Sequence, residues 1–253
     1  METLTSRKNA YIRHLRLLSD DGEYRRAQGQ YLCDGMKTLR EALRFGARVE
    51  SVLWKDAAQE VEGLSDCEQY MAPGDLFDYA SPMKNSPGPL FAVKMRGCGK
   101  PGKLANAIVL ENVQDPGNVG TVIRTANAFS VGAVILTGCC ADLYQPKTVR
   151  ATMGAIFRQN VIELDRAFLG TFLSDQGLPL YGAALSDKAA DLRGCSLRHA
   201  AVAIGSEGRG LSEELLRLCD GELIIPMNPD SESLNAAVAA AVIMWEMSNT
   251  DTR

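Results

Sequence analysis

Residues Ala107-Ile-Val-Leu110 are apolar without interruption, and the chain leaves them through Glu111-Asn-Val-Gln-Asp-Pro-Gly117 into a helical pattern. An apolar run of that length, with no polar alternation, reads as a strand covered on both faces. Similar runs at 133–137 and 200–204 alternate with helical stretches. From position 106 onward the pattern therefore predicts an α/β domain, a parallel sheet with helices on both faces. Open sheets of this class bind ligands at the carboxyl ends of their strands. The first such loop carries Asn118 and Arg124 near a helix N-terminus, where anions are favoured. It holds no Gly-x-Gly-x-x-Gly and no Gly-Lys-Ser/Thr, which excludes dinucleotide and P-loop readings.

Further strands are expected at 30–33, 49–54, 90–94, 159–163, 179–183 and 222–225, by composition and alternation. Helices are expected from Thr5 or Ser6 to Leu18, from an Asp34 cap to Gly46, over 118–129, 147–154 and 166–176, from a Ser212 cap to Leu218, and over 233–247. The acidic stretch 56–78 reads as helix, strand and helix. Arg96-Gly-Cys-Gly-Lys-Pro-Gly-Lys103 is glycine-rich and reads as a linker. The expected organisation is a small α/β domain over 1–95, a linker over 96–105 and a second domain over 106–253.

No apolar run approaches the ~20 residues of a membrane span, and the first residues lack a signal peptide's apolar segment. Seven cysteines include no Cys-x-x-Cys pair, which fits reduced thiols in the cytoplasm. With two histidines, His14 and His199, neither a Cys/His metal site nor a Ser-His-Asp hydrolase is expected. The net charge of −4 disguises a basic N-terminal region. Between Arg7 and Arg48 there are ten bases against five acids, a balance suited either to solvated helix faces or to a nucleic-acid backbone. Lys147 and Arg150, in a mixed basic segment after a loop, are candidate phosphate contacts, as are Arg7, Lys8, Arg25 and Arg26.

Three loops after strands carry small residues with fixed polar groups: Asn112 to Arg124, Gly205 to Leu211, and Ile225 to Asn235. Singly, each is compatible with an ordinary turn or helix cap. Together, in order and spacing, they resemble the SpoU (TrmH-like) ribose 2′-O-methyltransferases of the SPOUT superfamily. The residues carrying the resemblance are Asn112, Pro116, Asn118-Val-Gly120 and Arg124; Ile204-Gly-Ser-Glu-Gly-Arg-Gly-Leu211; and Ile225-Pro-Met227 with Ser233-Leu-Asn235 before an Ala-rich helix. Gln28-Gly-Gln-Tyr-Leu-Cys-Asp-Gly35 and the helix after it are similar to the L30e-like substrate-binding domain of several rRNA-modifying members. One departure is Asn235-Ala236, where relatives often carry Asn-Val-Ser.

The resemblance implies a deep trefoil knot in the C-terminal domain, a homodimer, and S-adenosylmethionine as cofactor. Gly205, Ile225 and Leu234 would meet the cofactor largely through backbone groups; Met227 would add apolar wall, and Thr137 would help line the pocket. Arg124 would be the catalytic residue, supported by Asn118, Glu207, Ser233 and Asn235. The implied substrate is structured RNA, ribosomal rather than transfer RNA, with no metal and no membrane. The alternatives are a tRNA ribose methyltransferase, a SPOUT enzyme methylating a base nitrogen, and a non-catalytic RNA-binding ribosome assembly factor.

Overall fold

A computed structural model describes residues 1–64, 67–96, 102–228 and 233–248. Its first elements are β1 (Glu2–Thr3), α1 (Ala10–Asp20), α2 (Gly22–Gln28), β2 (Gln30–Asp34), α3 (Met36–Arg44), β3 (Val49–Lys55), β4 (Glu68–Ala72), α4 (Gly74–Ala80) and β5 (Leu90–Lys94). They form a mixed sheet in the order β1-β4-β3-β5-β2, with β5 antiparallel to both neighbours. The stripe Ile12, Leu15 and Leu18 turns α1 onto that sheet, where it packs with Leu32, Leu53 and Phe77. The expected Gly46 stop holds: at φ 66° it lets its own N–H reach Leu43 and that of Ala47 reach Ala42.

Four local expectations need correcting. The first helix starts only at Ala10, because the Asn9 side chain, not Thr5 or Ser6, accepts from a first-turn N–H. A second helix, α2, stands where none was expected between Leu18 and the strand at 30–33, capped by the Asp21 carboxylate. Asp34 does not cap α3: Gly35 occupies that place at φ 93°, while Asp34 accepts a 2.7 Å hydrogen bond from Ser86. Among the described residues of 56–78, only one helix forms, after β4.

The chain continues with β6 (Ala107–Glu111), α5 (Pro116–Ala128), β7 (Ala133–Thr137), α6 (Pro146–Ala151), β8 (Val161–Glu163), α7 (Arg166–Gln176), β9 (Leu180–Ala183), β10 (Ala190–Asp191), β11 (Ala201–Ile204), α8 (Glu213–Leu216), β12 (Gly221–Ile224) and α9 (Ala236–Ser248). All seven of these strands run parallel in the order β10-β12-β9-β11-β6-β7-β8. The predicted α/β class and buried parallel sheet are therefore correct. Residues 107, 109, 133, 135, 201 and 203 face Leu169 and Leu173 of α7. Val119, Val122 and Ile123 of α5 are fully buried, each stabilising by about 1.5–3 kcal/mol. The sheet order reverses direction between β6 and β11, so the loops after those two strands flank the point where such sheets bind ligands.

Two compact units result: 1–97 with 142–157, and 98–141 with 158–253. The expected boundary assigned 142–157 to the second domain. Instead α6 packs on β2, and a short 3-10 turn, Ala155–Phe157, follows it. The expected helix 147–154 stops early because Met153 and Gly154 take left-handed conformations, φ 50° and 86°. Half of the expected linker, 97–101, lies outside the described residues, as do 229–232 of the last loop.

Candidate active site

The turn after β6 is shaped by Asn112, at φ 57°, whose side-chain oxygen accepts from the Cys139 N–H at 2.8 Å. It thereby ties the ends of β6 and β7 together. Asp115 then caps α5 by accepting from Asn118 N–H at 3.0 Å, and Pro116 occupies the first turn, where its missing donor costs nothing. This fixes the Asn118 side chain at the helix start. Its Nδ2 donates to Glu207 Oε1 at 2.7 Å, and its Oδ1 accepts from Asn235 Nδ2 at 3.1 Å. Asn235 Nδ2 also donates to Glu207 Oε1, and Ala236 N–H reaches the same oxygen at 3.3 Å. The Asn235 oxygen meanwhile accepts from Ala237 and Val238 N–H groups, capping α9.

One carboxylate oxygen thus collects donors from two helix starts. Three of the expected residues, Asn118, Glu207 and Asn235, are brought together from three separate loops. Ala236 takes part through its backbone, so the small side chain there removes nothing from the network.

Arg124 and Ser233 stand apart from it. Arg124 lies six residues beyond Asn118, roughly 9 Å along α5, on the helix's exposed side. Neither it nor Ser233 has a hydrogen-bond or ion-pair partner among the described residues.

Beside the network lies a cleft of about 480 Å³, within the range of small-ligand sites. Gly205, Ile225, Met227 and Leu234 line it, as expected. Sequence reasoning missed Ala183 to Leu185 at the end of β9, which complete its wall. They carry no polar signature, and only the sheet order brings them there. Thr137 does not join the wall. It ends β7, two strands from β11, and is buried with its hydroxyl unbonded.

Gly205 is required by the loop itself. Gly210 N–H bonds back to Ser206 O at 2.8 Å, and a Cβ on Gly205 would collide with the Gly210 carbonyl. The cleft's apolar side chains and the loop backbone suit an adenosyl and methionine group, which need apolar contact and few fixed polar partners.

A second feature invisible in the sequence is Glu111. Its carboxylate is wholly buried, an arrangement that is costly unless every lone pair is used. Ser212 N–H and Oγ donate to it at 2.7 Å each, and Arg166 at 2.9 Å. Arg166 also pairs with Glu214 at 2.7 Å. Glu111 therefore anchors the far end of the 205–211 loop to the sheet. Its partners raise the Arg166 pKa further, chiefly through the hydrogen bond.

The expected RNA contacts all fall in the first unit. Arg7, Lys8, Arg26, Lys147 and Arg150 are exposed, and Arg7 and Arg16 both lie over the Tyr79 ring, 4.6 and 4.8 Å from its centre. Arg25 is the correction. It is buried, donates to the carbonyls of Leu18 and Ser19 and pairs with Asp142 at 2.7 Å. Its charge is consumed inside the unit.

Among the described residues, no helix is long and apolar enough to cross a membrane and no cluster of three His, Cys, Asp or Glu could hold a metal.

Comparison with known proteins extends these observations. Residues 105–245 match the SpoU rRNA Methylase family. A 23S rRNA (guanosine(2553)-2′-O)-methyltransferase of Bacillus subtilis is 32% identical over 98% of this chain and 99% of its own. The SpoU methyltransferase AviRb from Streptomyces viridochromogenes, solved in complex with the cofactor AdoMet, superposes with a TM-score of 0.85 at 25% identity, over 95% of this chain and 98% of that one. A TrmH-family putative RNA methyltransferase from Porphyromonas gingivalis gives 0.84 at 31% identity, over 94% and 97%.

Proposed function

The chain belongs to the SpoU rRNA Methylase family, and from that premise we propose that it methylates a ribose 2′-hydroxyl of 23S rRNA with S-adenosylmethionine. The observation that carries this reading is the Asn118–Glu207–Asn235 network at the rim of an apolar cleft of cofactor size. The Bacillus subtilis relative named above supplies the choice of 23S rRNA.

S-adenosylmethionine supplies a methyl on sulfonium sulfur; the 2′-oxygen forms the new C–O bond as the C–S bond breaks, leaving a neutral thioether. No departing charge needs stabilising, so the protein's work is alignment and removal of the hydroxyl proton. Gly205, Ile225, Met227 and Leu234 hold the methyl donor and exclude water. Glu207, fixed by Asn118 and Asn235, sets the rim against which the ribose rests. Arg124 holds a substrate phosphate and orients the hydroxyl, and the proton leaves to phosphate or water. A guanidinium does not serve as the base, because it stays protonated at any working pH.

The same proposal assigns the first unit an L30e-like, RNA-holding role, the second a trefoil knot, and the protein a cytoplasmic homodimer. In support of the dimer, α9 exposes Val238, Val242 and Trp245 at helical spacing, and Trp245 meets Phe129 edge-on at 5.8 Å. Trp245→Glu should convert the sedimenting species to a monomer; a wild-type chain that sediments as a monomer removes the homodimer. Calorimetry with S-adenosylmethionine, followed by tritiated methyl transfer to bulk rRNA and bulk tRNA, tests the activity. Cofactor binding with transfer to rRNA is the expected result. Absence of both binding and transfer would sink the enzyme reading.

A further inference from the structure

The loop Ser206–Leu211 has two sides, and the cofactor cleft uses one. On the other lies a second cleft of about 630 Å³, between that loop and the turn after β6. To the loop residues that both clefts share, Glu207 and Arg209 among them, it adds Asn112, Gln114, Asp115 and Asn118, whereas the first adds mainly Ala, Leu, Ile and Met side chains.

Most of these groups are already engaged. The Asn112 oxygen accepts from Cys139, Asp115 caps α5, and Asn118 is committed to Glu207 and Asn235. Gln114 and Arg209 are exposed and make no side-chain hydrogen bond among the described residues. The wholly uncommitted side chains the cleft offers a ligand therefore include one carboxamide, with donor and acceptor side by side, and one guanidinium. A carboxamide matches the paired donor and acceptor on a nucleobase edge, and the volume suits a group of that size.

Position supplies the second argument. Glu207 walls both clefts, so the network it centres stands on the seam between them. A ribose resting on that seam with its 2′-hydroxyl toward the first cleft would bring its base to the second. Bases in RNA loops and bulges are free to be splayed out and read on their edges.

We propose that this second cleft binds the base of the target nucleotide, with Gln114 reading its edge through paired hydrogen bonds and Arg209 holding an adjoining phosphate. The proposal rests on the methyl-transfer reading above and adds to it the place where base identity is sensed.

The test uses the full chain and an rRNA fragment containing the mapped methylation site, prepared with each of the four bases at the target nucleotide. Wild type should prefer one base. Gln114→Ala should lose about tenfold or more in kcat/KM on that base and flatten the ranking, with cofactor affinity by calorimetry unchanged. Gln114→Glu, which keeps size and removes the donor, should reorder the ranking. Arg209→Ala should raise KM equally for all four bases.

An unchanged ranking in both Gln114 variants, or a wild type indifferent to the base, overturns the proposal while leaving methyl transfer intact. A wild type that transfers no methyl to any rRNA overturns the underlying reading and this one with it. Gln114 is exposed, so thermal melting of its variants should match wild type; a variant that loses cofactor binding as well would mark Gln114 as structural and overturn its reading role.

Discussion

The second unit concentrates its functional polar groups, whereas the first disperses them. In the second, Asn118, Glu207 and Asn235 come from three loops to within hydrogen-bonding distance, each also serving or touching a helix start. In the first, Arg7 and Lys8 before α1, Arg26 on α2, and Lys147 and Arg150 on α6 stand exposed on three stretches of chain. The contrast fits the two tasks proposed for them. Methyl transfer tolerates little misplacement and needs side chains fixed by neighbours. Holding an RNA backbone needs a field of positive charge, which works without fixed geometry.

If that division is right, single substitutions should act very differently in the two units. The largest effect is expected at Arg124→Ala, which should lower methyl transfer by about a hundredfold or more with cofactor affinity nearly intact; surviving activity would show that Arg124 does not act on the substrate. Next is Glu111→Ala. It strands the Ser212 and Arg166 donors and should cost about 3 kcal/mol of stability, read from denaturant midpoints, and weaken cofactor binding through the freed loop. Unaltered stability would mean the clamp contributes little.

In the first unit, Arg26→Ala or Lys147→Ala should leave cofactor binding alone and reduce the salt dependence of RNA binding by about one phosphate contact each. A loss of catalysis without a change in salt slope would erase the distinction between the units.

The smallest effect concerns pH. His14 bonds to Tyr24 and Gln30, and burial lowers its pKa below 6.5. Between the two pKa values the folded state binds fewer protons than the unfolded one, so this contribution is present above the unfolded pKa and is lost as pH falls from there through the folded pKa. Thermal melts at pH 5 and 8 should differ slightly less in His14→Gln than in wild type.

The parallel sheet was legible because its strands are buried on both faces, and burial leaves unbroken apolar runs such as 107–110. The rim residues were legible only as a set, since Asn118 or Asn235 alone reads as a helix cap, and Asn235 is one while Asn118 sits inside a first turn capped by Asp115. Glu111 was not legible: nothing in the sequence distinguishes a strand-end carboxylate that is buried and fully bonded from one that is solvated. Arg25 failed for the converse reason. Its charge resembles that of Arg26 beside it, and only the fold decides that one points inward to Asp142 and the other out. Thr137 failed because strand order, set by long-range pairing, put two strands between it and β9.

The membership of 142–157 in the first unit bears on how this gene can be dissected. A fragment starting at residue 102 would carry α6 away from β2, leaving Val149, Ile156 and Phe157, all buried in the full chain, without their partners. Its converse, ending at residue 95, would uncover the β2 side of the same contact. Neither half is a self-sufficient coding module, so exchange of the N-terminal unit between relatives requires moving two separated stretches of sequence at once.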